Sequence, residues 1–153
     1  MFYVKDSLVI KKSKIQGKGV FSKKIIKKGD KIFTFSDRKI EINHSSACNC
    51  KICHRCIQVG NNLWLYPKKD SYGWNINHSC NPNSGIKGKI IIAIKRISPN
   101  DEITLDYSTT TSGTDWKIKC NCKSKTCRKL IRSVQFLPRN LRERYKGLTS
   151  VSP

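Results

Sequence analysis

"NHSCNPN", residues 77–83, gathers Asn, His, Ser, Cys and Pro within a few positions. Such a group can form a turn, ligate a metal or line a cofactor, and each role needs different companions elsewhere in the chain. Cys80 is the first clue, because it stands apart from the rest of the eight cysteines. Cys48, Cys50, Cys53 and Cys56 form one tight group, and Cys120, Cys122 and Cys127 form another.

No run approaches the ~20 apolar residues of a membrane span, and no signal-peptide pattern follows Met1. The expectation is a soluble, cytoplasmic protein with no membrane partner. Its compartment keeps thiols reduced, so metal ligation suits these cysteines better than disulfides. "CNCKSKTC", residues 120–127, supplies three thiolates, one fewer than a closed structural zinc site takes. Cys80 is the candidate for the fourth, and zinc would then pin the chain after Asp115 against the 77–83 loop. "CNCKICHRC", residues 48–56, offers four more thiolates, with His44 and His54 nearby. A second zinc could sit there. Alternatively Cys56 faces inward from the alternating "RCIQVG", leaving three cysteines and a His to share a metal or none, and an iron–sulfur cluster is a further option.

At 153 residues the chain can bury one core, with appendages. Its net charge of +21, from 31 Lys and Arg against 10 Asp and Glu, attracts anionic partners, so non-specific nucleic-acid affinity is one expectation and a merely solvated surface the other. Short β-rich segments alternate with Gly, Pro, Asn and Asp. Phe2-Tyr3-Val4, Leu8-Val9-Ile10, Gly19-Val20-Phe21, Lys31 to Phe35, Leu63 to Tyr66, Lys89 to Ile94 and Glu102 to Leu105 are the expected strands. Helical spacing appears at the C-terminus, where Leu137, Leu141, Tyr145 and Leu148 recur behind Pro138. "KKIIKKGDKIFTF" and "AIKRISPNDEITL" share a basic-Ile-turn-Asp-strand pattern, which predicts two corners built alike.

Taken singly, the "GKG" of Gly17 to Gly19 is a tight turn or a close approach to a ligand, and Tyr107 at the end of "DEITLDY" is packing or chemistry. Taken in order, "GKGVF", "NHSCNPN", "DEITLDY" and a trailing CxCxxxxC followed by Arg128 resemble the SET-domain protein-lysine methyltransferases with a post-SET zinc segment, of the short stand-alone microbial type. The resemblance runs from about Val9 to Leu148. It implies a mainly β SET fold, small curved sheets around a knot-like core, with a short C-terminal helix. The implied organisation is a SET domain over 1–114, carrying a cysteine-rich insertion near 41–56, a post-SET zinc segment over 115–136, and a helix and tail over 137–153.

The same resemblance implies S-adenosylmethionine as cofactor, held by Lys18, Gly19, Asn77, His78 and Tyr107 and covered by Trp116 and Leu130. It makes Tyr107 the active-site tyrosine and Cys80, Cys120, Cys122 and Cys127 the zinc ligands. The substrate would be a lysine-containing protein, plausibly chromatin-associated, and the enzyme a monomer or homodimer. The competing class is a basic zinc protein that binds nucleic acid or chromatin without catalysis. A basic tail would itself be repelled unless Glu41, Asp70, Asp101, Glu102 and Asp115 form an acidic groove. The chain departs from the family pattern at "YGWNI", residues 72–76, and at Lys123 and Lys129, where glycine commonly stands.

Overall fold

The computed structural model describes residues 7–36, 38–41, 55–113 and 115–151. The expected strand at Phe2-Tyr3-Val4 and the cysteines Cys48, Cys50 and Cys53 lie outside the described residues.

The chain is mainly β, in short strands: β1 (Leu8–Lys12), β2 (Lys18–Ser22), β3 (Lys31–Thr34), β4 (Arg38–Glu41), β5 (Ile57–Gln58), β6 (Leu63–Tyr66), β7 (Asn77–His78), β8 (Ser84–Lys87), β9 (Ile90–Ala93), β10 (Glu102–Leu105), β11 (Lys117–Lys119) and β12 (Leu130–Arg132). Two short helices accompany them, α1 (Tyr72–Asn75) and α2 (Arg139–Arg144). No helix among the described residues is long and apolar enough to cross a membrane.

Among the described residues, with Gly88 turning β8 into β9 and Pro67 following β6, the strands form four small sheets. They run β1-β2-β10-β7, β3-β9-β8, β4-β6-β5 and β11-β12. Gly17, at φ 51, turns the chain so that β1 and β2 pair from Leu8↔Ser22 to Lys12↔Lys18. Their alternate aliphatics join those of the other strands in one core, including Val20, Ile26, Ile32, Phe35, Ile86, Ile91, Ile97, Ile103 and Leu105. Burial at this scale, about 25 cal/mol per Å² of apolar surface, supplies the main drive to fold.

The two similar corners pair with one another. Ile26 and Ile97 exchange backbone hydrogen bonds of 2.9 Å in each direction. Asp30 accepts from Lys27 N at 2.9 Å and Asp101 from Ser98 N at 2.8 Å, each closing its own turn. The pairing delivers β10 beside β2, with Ile103 opposite Val20.

The C-terminal periodic stretch is helical only over Arg139–Arg144, because Pro138 precedes the helix with extended ψ and Gly147 turns left-handed at φ 71. Leu137 and Tyr145 are nevertheless buried together with Val134, and Leu141 and Leu148 pack against them.

Candidate functional site

The parallel pairing of β7 with β10 sets Asn77 beside Thr104 and His78 beside Leu105, so the 77–83 loop meets the end of "DEITLDY". Asp106 leaves β10 and caps a 3-10 turn over Tyr107–Thr110, its side chain accepting from Ser108 N at 3.0 Å. Short polar residues favour such caps because their oxygens satisfy otherwise unpaired N–H groups. Tyr107 is fixed at both ends: its backbone N–H donates to His78 Nδ1 at 3.1 Å, and its hydroxyl donates to the Ile76 carbonyl at 2.6 Å. Burial pushes the Tyr107 hydroxyl up to about 12, so it remains a protonated donor near neutrality.

The same loop meets the C-terminal cysteines. Cys80 Sγ lies 3.7 Å from Cys120 Sγ, which lies 3.7 Å from Cys127 Sγ, and Cys80 N donates to Cys122 Sγ at 3.4 Å. The ligand atoms of His78, Cys80, Cys120 and Cys122 all fall within 4.8 Å of one another. His78 and Cys127 thus compete for one place in a four-ligand shell. The hydrogen bonds decide between them. Nδ1 accepts from Tyr107 N–H, so the proton of the neutral ring sits on Nε2, which then donates to Cys80 Sγ at 3.2 Å and has no lone pair for a metal. Burial keeps that ring neutral, lowering its pKa to about 4. The donor set that remains is four thiols, the soft sulfur set that suits zinc. Burial pushes the Cys120 and Cys80 thiols upward, so holding these two as thiolates calls for a cation beside them.

Arg128 ties the two halves together. Its Nη2 donates to Asp106 Oδ1 at 2.6 Å, while its Nε and backbone N donate to Cys80 Sγ at 3.4 and 3.3 Å. Asp106 is 0% exposed and the Arg128 side chain 19%. One guanidinium therefore connects the thiol cluster to the carboxylate that positions Tyr107.

Two cavities touch Tyr107. The larger, of about 310 Å³, is lined by Ile15, Gln16, Asn77, His78, Tyr107, Ile118, Ile131 and the stretch Lys119 to Cys122. Its size lies within the ordinary range of small-molecule sites. The second is a narrow crevice formed by Phe35, Arg55, Cys56, Ile57, Trp74, Ile76, Leu105 and Tyr107 together with Gly73 and Thr110.

Of the cofactor residues read from the sequence, Asn77, His78 and Tyr107 line the larger cavity. Lys18 and Gly19 stand behind its wall: Asn77 Nδ2 faces the carbonyls of Gln16 at 3.1 Å and Lys18 at 3.0 Å and Glu102 Oε1 at 2.7 Å. A Cβ at Gly19 would collide with the Glu102 carboxylate, so a larger residue would have to displace the side chain that holds Asn77. Trp116 and Leu130 are not among the lining residues; Leu130 is 46% exposed on β12. Ile118 and Ile131, paired across the β11-β12 hairpin, are the apolar wall instead. Neither stands out in the sequence: "KIK" sets one aliphatic between two lysines, and "KLIR", residues 129–132, two aliphatics between basic residues.

Three of the five acids expected to form a groove are engaged elsewhere. Glu102 accepts from Ser13 Oγ at 2.8 Å as well as from Asn77, Asp101 closes its turn, and exposed Asp70 lies 3.7 Å from Lys18. Cys56, the one described member of the 48–56 group, is buried, and burial raises its thiol to about 11. Lys123 and Lys129 occupy left-handed backbone at φ 59 and 63, the conformation that glycine adopts without cost.

Comparison with known proteins is consistent with this geometry. A family profile described as SET domain matches residues 17–108. The histone-lysine N-methyltransferase trithorax of Drosophila virilis is 30% identical over 145 residues, which are 83% of this chain and 4% of that protein. The chain thus spans a small fraction of the length of the curated relatives it matches. The crystal structure of a candidate histone methyltransferase from Plasmodium falciparum shares 29% identity at a TM-score of 0.52, over 71% of this chain and 99% of that one. The fold is also shared, at 20% identity and a TM-score of 0.62, with the crystal structure of KRYPTONITE in complex with mCHG DNA and SAH, over 80% of this chain and 28% of that one.

Proposed function

The chain belongs to the SET-domain family, and on that premise we propose that it is a protein-lysine methyltransferase, moving a methyl group from S-adenosylmethionine to a lysine side-chain amine. The observation that carries this is the double placement of Tyr107, which lines both the larger cavity and the narrow apolar crevice. A cofactor in the first and a lysine in the second would meet at this side chain.

S-adenosylmethionine supplies the electrophilic methyl on its sulfonium. Asn77, His78 and Gln16 offer it polar contacts and Ile15, Ile118 and Ile131 an apolar wall, a mixture that fits its charged and aromatic parts. Lys18, Gly19, Trp116 and Leu130 complete the assignment carried by the family pattern, with Gly19 acting through Glu102 and Asn77. The crevice receives the lysine stem among Phe35, Ile57, Ile76 and Leu105. A lysine of reference pKa 10.4 must lose its proton first, at a cost near pH 7.4 of about 4 kcal/mol. Apolar walls disfavour the ammonium and so reduce that cost.

Tyr107 is protonated and donates to the Ile76 carbonyl, which leaves its oxygen lone pairs free to accept from the neutral amine. Held this way, the amine directs its own lone pair along the line of displacement, and positioning supplies most of the acceleration. The raised hydroxyl rules against Tyr107 as a general base. Cys80, Cys120, Cys122 and Cys127 would hold one zinc as a closed structural site. Zinc at that position cross-links the 77–83 loop to the β11-β12 hairpin and thereby closes the cofactor cavity. Labelled S-adenosylmethionine incubated with the protein and a mixture of lysine-rich proteins tests the reading: label should appear on lysine. Salt-sensitive DNA binding with no cofactor binding would instead identify a non-catalytic nucleic-acid protein.

A further inference from the structure

The crevice touching Tyr107 is apolar along its walls, and Arg55 is the charged side chain that lines it among the described residues. Its guanidinium is held from two directions, lying 4.3 Å over the Trp74 ring and donating from Nη1 to the Trp74 carbonyl at 2.8 Å. The Trp74 ring is braced in turn, edge-on to Tyr66 at 6.0 Å. A stacked guanidinium keeps its remaining in-plane N–H groups available for a carboxylate. Among the described residues no ion pair joins Arg55 to an acidic side chain.

Among the described residues five carboxylates are engaged elsewhere: Asp106 is buried against Arg128, Glu102 accepts from Ser13 and Asn77, Asp70 lies beside Lys18, and Asp30 and Asp101 close their own turns. By sequence, residues 42–54 hold Lys51 and neither Asp nor Glu. A lysine ammonium approaching this opening meets a protein of charge +21 and then a fixed guanidinium.

We propose that the site selects a lysine with an Asp or Glu close to it in sequence, the neighbouring carboxylate pairing with Arg55. The inference rests on the methyltransferase reading and names its substrate class. The substrate's own acid offsets the repulsion and, in a bidentate pair with the guanidinium, sets which side of the lysine faces Trp74. Lysines flanked by Lys and Arg are disfavoured by the same charge, so discrimination comes from attraction and repulsion together.

The test uses two fluorescent peptides, identical except for Glu or Lys on either side of one central lysine, titrated with the protein in the presence of S-adenosylhomocysteine. Binding by anisotropy should favour the acidic peptide by about tenfold at low salt, with the gap narrowing as salt rises. Arg55→Glu should invert the order, and Arg55→Lys should keep its sign with a smaller gap. Equal affinities in the wild type, or a gap that Arg55→Glu leaves unmoved, would overturn the proposal; the second result would assign the effect to the diffuse positive charge. Preferential binding with no methyl transfer to either peptide, once S-adenosylmethionine replaces S-adenosylhomocysteine, removes the methyltransferase reading and with it the substrate assignment, leaving only an Arg55–acid contact. Methyl transfer without preferential binding leaves the methyltransferase reading standing and removes this inference.

Discussion

Arg128→Met removes the one guanidinium that joins the thiol cluster to Asp106 while roughly preserving side-chain length. At the 2.6 Å separation of Nη2 and Oδ1, and an effective dielectric of 20, the lost attraction is about 6 kcal/mol. Asp106 recovers part of this through Ser108 N–H, which donates to the same oxygen. Breaking a buried pair by removing one partner typically costs about 3–5 kcal/mol, and for a chain of this size that lowers Tm by about 6–20 °C. The Nε bond to Cys80 Sγ is lost as well, while the backbone N–H bond to it remains, so zinc affinity should fall by about 10-fold. Arg128→Lys should rescue little, because one ammonium cannot reproduce a fork that reaches Asp106 and Cys80 together. Urea unfolding at pH 8, with chelator competition for zinc, measures both effects. A Met variant within about 1 kcal/mol of the wild type at pH 8 would refute the reasoning, since that is the range of a solvent-exposed pair.

Gly19→Ala should destabilise by about 1–3 kcal/mol through its collision with Glu102, and calorimetry should show weaker S-adenosylmethionine binding because Glu102 also holds Asn77. Lys129→Gly should stabilise by a few tenths to about 1 kcal/mol, the left-handed strain relieved less the entropy glycine adds, as read from urea midpoints. Chelating the metal, or Cys120→Ser, should weaken cofactor binding along with stability, since Cys120 and Cys122 share the cavity wall with Asn77 and His78; unchanged calorimetric affinity in the metal-free protein would separate the two sites.

The sheets were legible where alternation was strong. β1, β2, β3, β6, β9 and β10 fall on the strands expected from their aliphatic spacing, and the paired Ile26 and Ile97 corners follow from two similar stretches of sequence. β7, β11 and β12 were not legible, because strands of two or three residues exist only through their partners. The same limit hid the cavity wall: successive residues of a strand face opposite ways, and it is Ile131, opposite Ile118, that lines the cavity. At the centre, Cys80 stood out in the sequence because it stood alone, and the fold sets it beside Cys120 and Cys122. The role of His78 was not, since its tautomer is set by Tyr107 N–H, a backbone group no motif displays. Arg55 was passed over because its importance comes from Trp74, nineteen residues away in sequence.

The most direct test of the central claim is single-turnover methyl transfer by zinc-loaded wild-type protein and Tyr107→Phe, with cofactor affinity measured on both. Binding of S-adenosylmethionine should be similar in the two, while the rate of lysine methylation should fall by about a hundredfold without the hydroxyl. Equal rates would remove Tyr107 from the chemistry, and a wild-type protein that binds no cofactor would contradict the methyltransferase account itself.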